Sequence, residues 1–174
     1  MHHSTPRRQL LHAAVLLPAA MLAPATWSQS ASSAEAVPRL GGTDLQGRPL
    51  QLSALRGRVV LVFYWRTGCA VCRDKMRELR ANLVGWQSQP FSLIGVNTDA
   101  RRQDWLDYEQ LVARTVPPAQ RFPSLWRGDA STIDSMEPPA QWPTAVLIDK
   151  SGRLVERYTG RIPAEAWDRI AELL

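Results

Sequence analysis

The chain has 174 residues, with 21 Lys and Arg against 16 Asp and Glu and a formal net charge of +5. That length supports one domain with its own hydrophobic core. The basic residues are mostly arginine and are scattered, without like-charge blocks or basic–aromatic interleaving, which argues against nucleic acid as a partner.

The first segment reads as an address. Arg7 and Arg8 precede an apolar run from Leu10 to Leu22 that Pro18 interrupts. The run is shorter than the roughly 20 apolar residues a bilayer span needs. Ala34-Glu35-Ala36 supplies an A-x-A cleavage pattern, and Ala23-Pro24-Ala25 an earlier one. The expectation is an export signal and the start of a linker over 1–36, then one domain over 37–174. Arg7-Arg8 followed by Leu10-Leu11 also resembles a twin-arginine signal, so both the Sec and the twin-arginine routes stay open. Membrane contact is then transient, or made through an uncleaved signal. The histidines are His2, His3 and His12, all inside that signal. Residues 37–174 therefore offer no Cys–His or Ser-His-Asp chemistry and no histidine-containing metal site.

After a Ser/Ala-rich tether, "GGTDLQGRPLQLSALRGR" predicts a short hairpin, with Gly41-Gly42 read as a turn and not as a dinucleotide loop. Val59 to Trp65, "VVLVFYW", is continuously apolar and suits a central strand buried on both faces. Ala70 to Leu83 reads as a helix whose stripe is Cys72, Met76, Leu79 and Leu83, with Lys75 mostly off it and Gly85 as its end. Phe91 to Val96 is a second strand. Trp105, Tyr108 and Val112 mark a second helix that Thr98 or Asp99 can cap.

Residues 114–142 are Pro-rich, and a connection of that length is usually functional or carries small elements of its own. Thr144 to Ile148 and Leu154 to Tyr158 flank the Asp149–Gly152 turn and form a last hairpin. Pro163 opens a final helix with Trp167, Ile170, Ala171 and Leu174 on its buried face. The order predicts an α/β fold: a central mixed sheet covered on both faces by helices, with right-handed crossovers after its first two strands.

Cys69 and Cys72 are the only cysteines. Cys69 falls where strand meets helix, where free N–H groups and the helix dipole favour a thiolate. Cys72 lies one turn in, on the inward stripe. An exposed, activated thiol beside a buried one within bonding distance suits reversible exchange: the outer thiolate attacks a disulfide and the inner thiol resolves the product. A structural disulfide gains stability by closing a long loop, and this one would close almost nothing. A structural zinc site needs four ligands, and the chain supplies two cysteines. Arg66 and Arg73 are near enough in sequence to lower the outer thiol pKa further, the alternative being that either simply faces solvent.

These stretches together resemble the thioredoxin superfamily, in particular the exported TlpA-like thiol–disulfide oxidoreductases (the AhpC/TSA-redoxin-like subgroup), over nearly all of residues 40–174. "DLQGRPLQLSALRGRVVLVFYWRTGCAVCRDKM" is similar to that family's lead-in hairpin, core strand and active-site turn, and "WPTAVLIDKSGRLVERYTG" to its Pro loop and last hairpin. The resemblance implies a thioredoxin-like fold with an N-terminal hairpin extension and a central insertion. It implies Cys69 as nucleophile, Cys72 as resolving cysteine, and a cis Pro143 packed against the pair, with Trp142 offering backbone groups to a substrate strand. It departs from the family at Gly68, which replaces the usual Trp and opens the surface, at Arg77 in place of a helix proline, and at Phe63 in place of a buried acid. Glu137, Asp134 and Asp129 are the candidates for an acid supplied by the insertion. Trp126 and Trp142 flank that insertion as candidate substrate surface.

The function so implied is extracytoplasmic, periplasmic thiol–disulfide exchange with protein substrates, most simply as a reductase. With no flavin or nicotinamide motif, the expected cofactor set is empty and a membrane-bound thiol reductant supplies the electrons. Run as an oxidase or isomerase, or in cytochrome c maturation, the same chemistry uses the same residues. A thiol peroxidase of peroxiredoxin type would carry Thr three residues before its cysteine, where Arg66 stands. A thioredoxin-fold copper chaperone would use a distant histidine, and a non-catalytic binding protein would not need both cysteines.

Overall fold

The computed structural model describes residues 1–2 and 37–174, and the expected export segment lies outside the described residues. Eight strands and three α-helices follow in the order β1 (Leu40–Thr43), β2 (Pro49–Gln51), β3 (Val59–Trp65), α1 (Ala70–Gly85), β4 (Phe91–Asn97), α2 (Arg102–Thr115), β5 (Ser124–Trp126), β6 (Ile133–Asp134), β7 (Thr144–Ile148), β8 (Leu154–Thr159) and α3 (Glu165–Leu173).

The apolar run Val59–Trp65 becomes β3, buried at every position and central in a five-stranded sheet of order β5-β4-β3-β7-β8. It pairs in parallel with β4, Val59 opposite Phe91 and Trp65 opposite Asn97. On its other side it pairs antiparallel with β7, Tyr64 opposite Thr144. The sheet is therefore mixed, and the fold is α/β and thioredoxin-like.

Strand alternation divides the core in two. Val59, Leu61, Phe63 and Trp65 face Cys72, Met76 and Leu79 of α1, Trp105 of α2, and Ala166 and Ile170 of α3. Val60, Val62 and Tyr64 face Leu40 of β1, Leu52 and Met136. The α-helices, expected on both faces, thus all lie on one. The second face is closed by β1, the short helical turn at Leu52–Leu55 and the chain at Met136.

Several local expectations are corrected. Gly41 and Gly42 lie within β1, which pairs with β2 and β6 in a separate three-stranded sheet. The proline-rich connection does carry small elements of its own, as expected, and one of them, β5, extends the main sheet beside β4. Lys75 is buried, with Nζ donating to Glu78 (2.6 Å) and to the Ile162 carbonyl (2.9 Å). On α3, Ala166 and not Ala171 joins Ile170 in the core. Neither Thr98 nor Asp99 caps α2, whose N-cap is Arg101 without a side-chain bond.

A Cβ on Gly95 of β4 would come to 3.0 Å from the Phe122 ring and 3.2 Å from Trp65 Nε1, so the glycine gives both rings room on this strand. Among the described residues, no helix is long and apolar enough to cross a membrane.

Candidate active site

Trp65 ends β3, and the chain turns through Arg66, Thr67 and Gly68 to Cys69, the N-cap of α1. The turn closes with the Cys69 N–H donating to the Arg66 carbonyl (3.2 Å). Cys69 and Cys72 are disulfide-bonded, with Cα atoms 5.2 Å apart. Cys69 is half-buried and Cys72 fully buried, as their positions on the helix predict. The Cys72 N–H donates to the Cys69 sulfur at 3.1 Å. An N–H at a helix N-terminus aimed at that sulfur stabilises a thiolate there once the disulfide is opened.

Pro143 is buried directly before β7, and its bond to Trp142 is cis. Because Thr144 pairs with Tyr64 near the end of β3, this loop lies beside the cysteine turn. The Pro143 carbonyl accepts the Gly160 N–H (2.8 Å), and Gly160 turns with a positive φ of 79°. Among the described residues, neither the N–H nor the C=O of Trp142 has a hydrogen-bond partner. Its indole N–H donates to Thr98 Oγ1 (2.6 Å), and that hydroxyl donates to the Trp65 carbonyl (3.1 Å).

Arg66 lays its guanidinium over the Trp142 ring, 3.5 Å from the centroid. Arg73 reaches back from α1 to the Thr67 carbonyl (2.6 Å). Arg66, Thr67, Gly68, Cys69 and Trp142 share an open cleft of about 450 Å³ with two carboxylates, Asp99 and Asp104. The fold thus brings together Cys69, Gly68 and Trp142 at one cleft, with Cys72 and Pro143 beneath and beside it. A Cβ on Gly68 would meet nothing within 4 Å, so this side of the cysteine is open.

Other candidates stand elsewhere. Asp134 is buried against Tyr64, whose hydroxyl donates to it (3.1 Å), and is paired with Arg127 (2.8 Å). The burial of Tyr64 and the charge of Asp134 push that phenol far above its usual range. Asp129 binds the N–H and hydroxyl of Ser131, which lower its carboxyl, and Glu137 is exposed. None of the three lines the cleft. Trp126 donates to the Asp99 carbonyl (2.9 Å) and packs against the core. Sequence reasoning missed Asp99 as a cleft residue, because its side chain bonds across to Thr67, 32 positions away. Among the described residues, no group of three or more Cys, His, Asp and Glu gathers in a way that could hold a metal.

The model of the AhpC/TSA family matches residues 34–166. The chain belongs to the AhpC/TSA family. It is 26% identical over 133 residues to the thiol-disulfide oxidoreductase ResA of Halalkalibacterium halodurans, covering 75% of this chain and 70% of that one. To the protein of the same name in Bacillus subtilis it is 23% identical over 132 residues, covering 76% and 70%.

Two solved structures have the same fold. A thiol:disulfide interchange protein of the thioredoxin family from Chlorobium tepidum superposes with a TM-score of 0.60 at 19% identity, over 78% of this chain and 92% of that one. A thiol-disulfide oxidoreductase from Bacteroides fragilis gives 0.61 at 20% identity, over 79% and 98%. With the cysteine pair at the head of α1, the chain is a dithiol–disulfide oxidoreductase of the TlpA-like, thioredoxin-superfamily kind.

Proposed function

We propose that residues 1–36 are an export signal and the start of a linker, and that the domain over 37–174 works outside the cytoplasm, in the periplasm, as a reductase of protein disulfides. The observation that carries the chemistry is the asymmetry of the pair: Cys69 at the cleft and at a helix N-terminus, Cys72 buried behind it.

In the dithiol form, the Cys69 thiolate attacks one sulfur of a substrate disulfide. A mixed disulfide forms, and the other substrate sulfur leaves as a thiolate that takes up a proton. The Cys72 thiol, losing its proton, then attacks the Cys69 sulfur and expels the second substrate thiol. The substrate gains two electrons and two protons, and the Cys69–Cys72 disulfide is regenerated. The unpartnered backbone of Trp142 and the open surface at Gly68 suit an extended substrate strand laid across the cleft, with Pro143 presenting no N–H toward the sulfurs. A membrane-bound thiol reductant then returns the pair to the dithiol.

The test is the equilibrium of the purified domain with glutathione. A potential near or below about −230 mV supports the reductase, and one near about −120 mV makes the protein an oxidant. Cys72→Ser should trap a mixed disulfide with protein substrates through Cys69, and Cys69→Ser should trap none. Absence of any reversible two-electron couple would overturn the redox reading.

A further inference from the structure

Asp99 is held from several sides. Both oxygens of its carboxylate accept the Thr67 N–H at 3.1 Å, and one accepts Asn97 Nδ2 at 2.7 Å. Its own N–H returns to Asn97 Oδ1 (3.0 Å), and its carbonyl accepts the Trp126 indole N–H (2.9 Å). Asn97 is fully buried, so the anchor itself is fixed. The carboxylate cannot swing out to water without giving up these bonds, and it shares the cleft with Cys69.

The charged groups around that cleft fall into two sets. Arg66 is parked on the Trp142 ring, Arg73 on the Thr67 carbonyl, and the N-terminus of α1 points its Cys72 N–H at the Cys69 sulfur. These favour a thiolate. Asp104 faces the same cleft but is neutralised by Arg101 at 2.5 Å. Asp99 has no cation among its described hydrogen-bond partners.

We propose that Asp99 is a positioning residue that biases the Cys69–Cys72 couple toward the disulfide, by holding a fixed negative charge at the cleft where Cys69 ionises. The inference rests on the redox reading of the pair. Reduction adds two electrons and two protons to the disulfide, and the outer thiol then ionises. A like charge nearby disfavours that ionisation and raises the thiol pKa. The dithiol state loses part of the stabilisation that the helix terminus and the two arginines provide, so the couple becomes more reducing. Asp99 itself neither gives nor takes a proton in the step.

The test compares wild type with Asp99→Asn, which keeps size and an acceptor for Thr67 but loses charge, and with Asp99→Glu, which keeps charge. The pH profile of iodoacetamide alkylation of the reduced protein reads Cys69, since Cys72 is fully buried. Asp99→Asn should raise the thiolate fraction about threefold below the pKa, about half a unit. Measured at a pH above the Cys69 pKa, where the reduced pair carries the thiolate, its equilibrium with glutathione should move about threefold toward the dithiol, about 14 mV. Asp99→Glu should stay near wild type in both.

A wild-type couple left unmoved by Asp99→Asn overturns this inference and leaves the redox reading standing, as does a shift in Asp99→Glu as large as in Asp99→Asn. No reversible couple in wild type overturns both. Should Asp99→Asn lose its folded tryptophan fluorescence, Asp99→Ser, with a hydroxyl for the Thr67 N–H and no charge, gives the same readout.

Discussion

The guanidinium of Arg66 lies 3.5 Å above the ring of Trp142, so the residue leaving the central strand covers the residue preceding the cis proline. The stack joins the cysteine turn to the loop opposite it, across the cleft that Cys69 opens onto.

Arg66→Ala removes both a plane and a charge. Loss of an exposed cation–π contact should cost about 0.5–1 kcal/mol in urea unfolding. Loss of positive charge beside the cleft should raise the Cys69 thiol pKa in an alkylation profile. Arg66→Lys separates the effects: the thiol should stay near wild type while the stack weakens, because lysine lacks the planar group. An alkylation profile unchanged in Arg66→Ala would show that Arg66 serves the Trp142 surface alone.

The open side of Cys69 predicts a tolerated large residue. Gly68→Trp should fold as wild type does, because a Cβ there meets nothing within 4 Å. It should slow exchange with a disulfide-bonded protein by about tenfold, which is about 1.4 kcal/mol of docking. Exchange with glutathione disulfide should change much less. Equal slowing of both substrates would place the effect on the cysteine itself and not on the docking surface.

Much of this was legible in the sequence where burial and periodicity act locally. The run Val59–Trp65 could be little other than a central strand, and the Cys72–Met76–Leu79 stripe put one cysteine outward and one inward. What stayed hidden depends on contacts between distant segments. Asp99 looks like a helix cap because Asp often is one, yet the Thr67 N–H, made available by the turn after β3, takes it instead. Lys75 looks solvated by its chemistry, but the Ile162 carbonyl and Glu78 satisfy its ammonium inside. β5 has three residues, too few for any periodicity to mark a strand within a Pro-rich stretch, so only its pairing with β4 identifies it.

Asp134 was a candidate acid for the cysteines, and its surroundings assign it a structural task. Its buried carboxylate accepts from Tyr64 Oη, Arg127 Nε (2.8 Å) and the Met136 N–H (3.0 Å). Asp134→Ala strands a buried hydroxyl and a partly buried guanidinium, and should cost about 2–3 kcal/mol in urea unfolding. The potential and the alkylation profile should stay at wild-type values in Asp134→Asn. A shift in either would return Asp134 to the list of groups that act on the cysteines.

Glu109 on α2 should make stability depend on pH in a definite direction. Burial raises its carboxyl above the usual range, and the Ser124 hydroxyl, the positive Arg80 and Trp105 offset only part of that. A carboxyl whose folded value lies above its unfolded one binds its proton more tightly in the fold. The penalty is therefore absent below the unfolded value. It grows as pH rises toward the folded value, and is complete above it. Glu109→Gln removes the charge while keeping an amide able to meet the Ser124 hydroxyl. Calorimetry should show Tm raised at pH 7, with the gain fading as pH falls and the carboxyl takes up its proton in both the folded and the unfolded chain. A Tm lowered at pH 7 would mean that the attraction to Arg80 outweighs the cost of burying the charge, and would reverse the assignment.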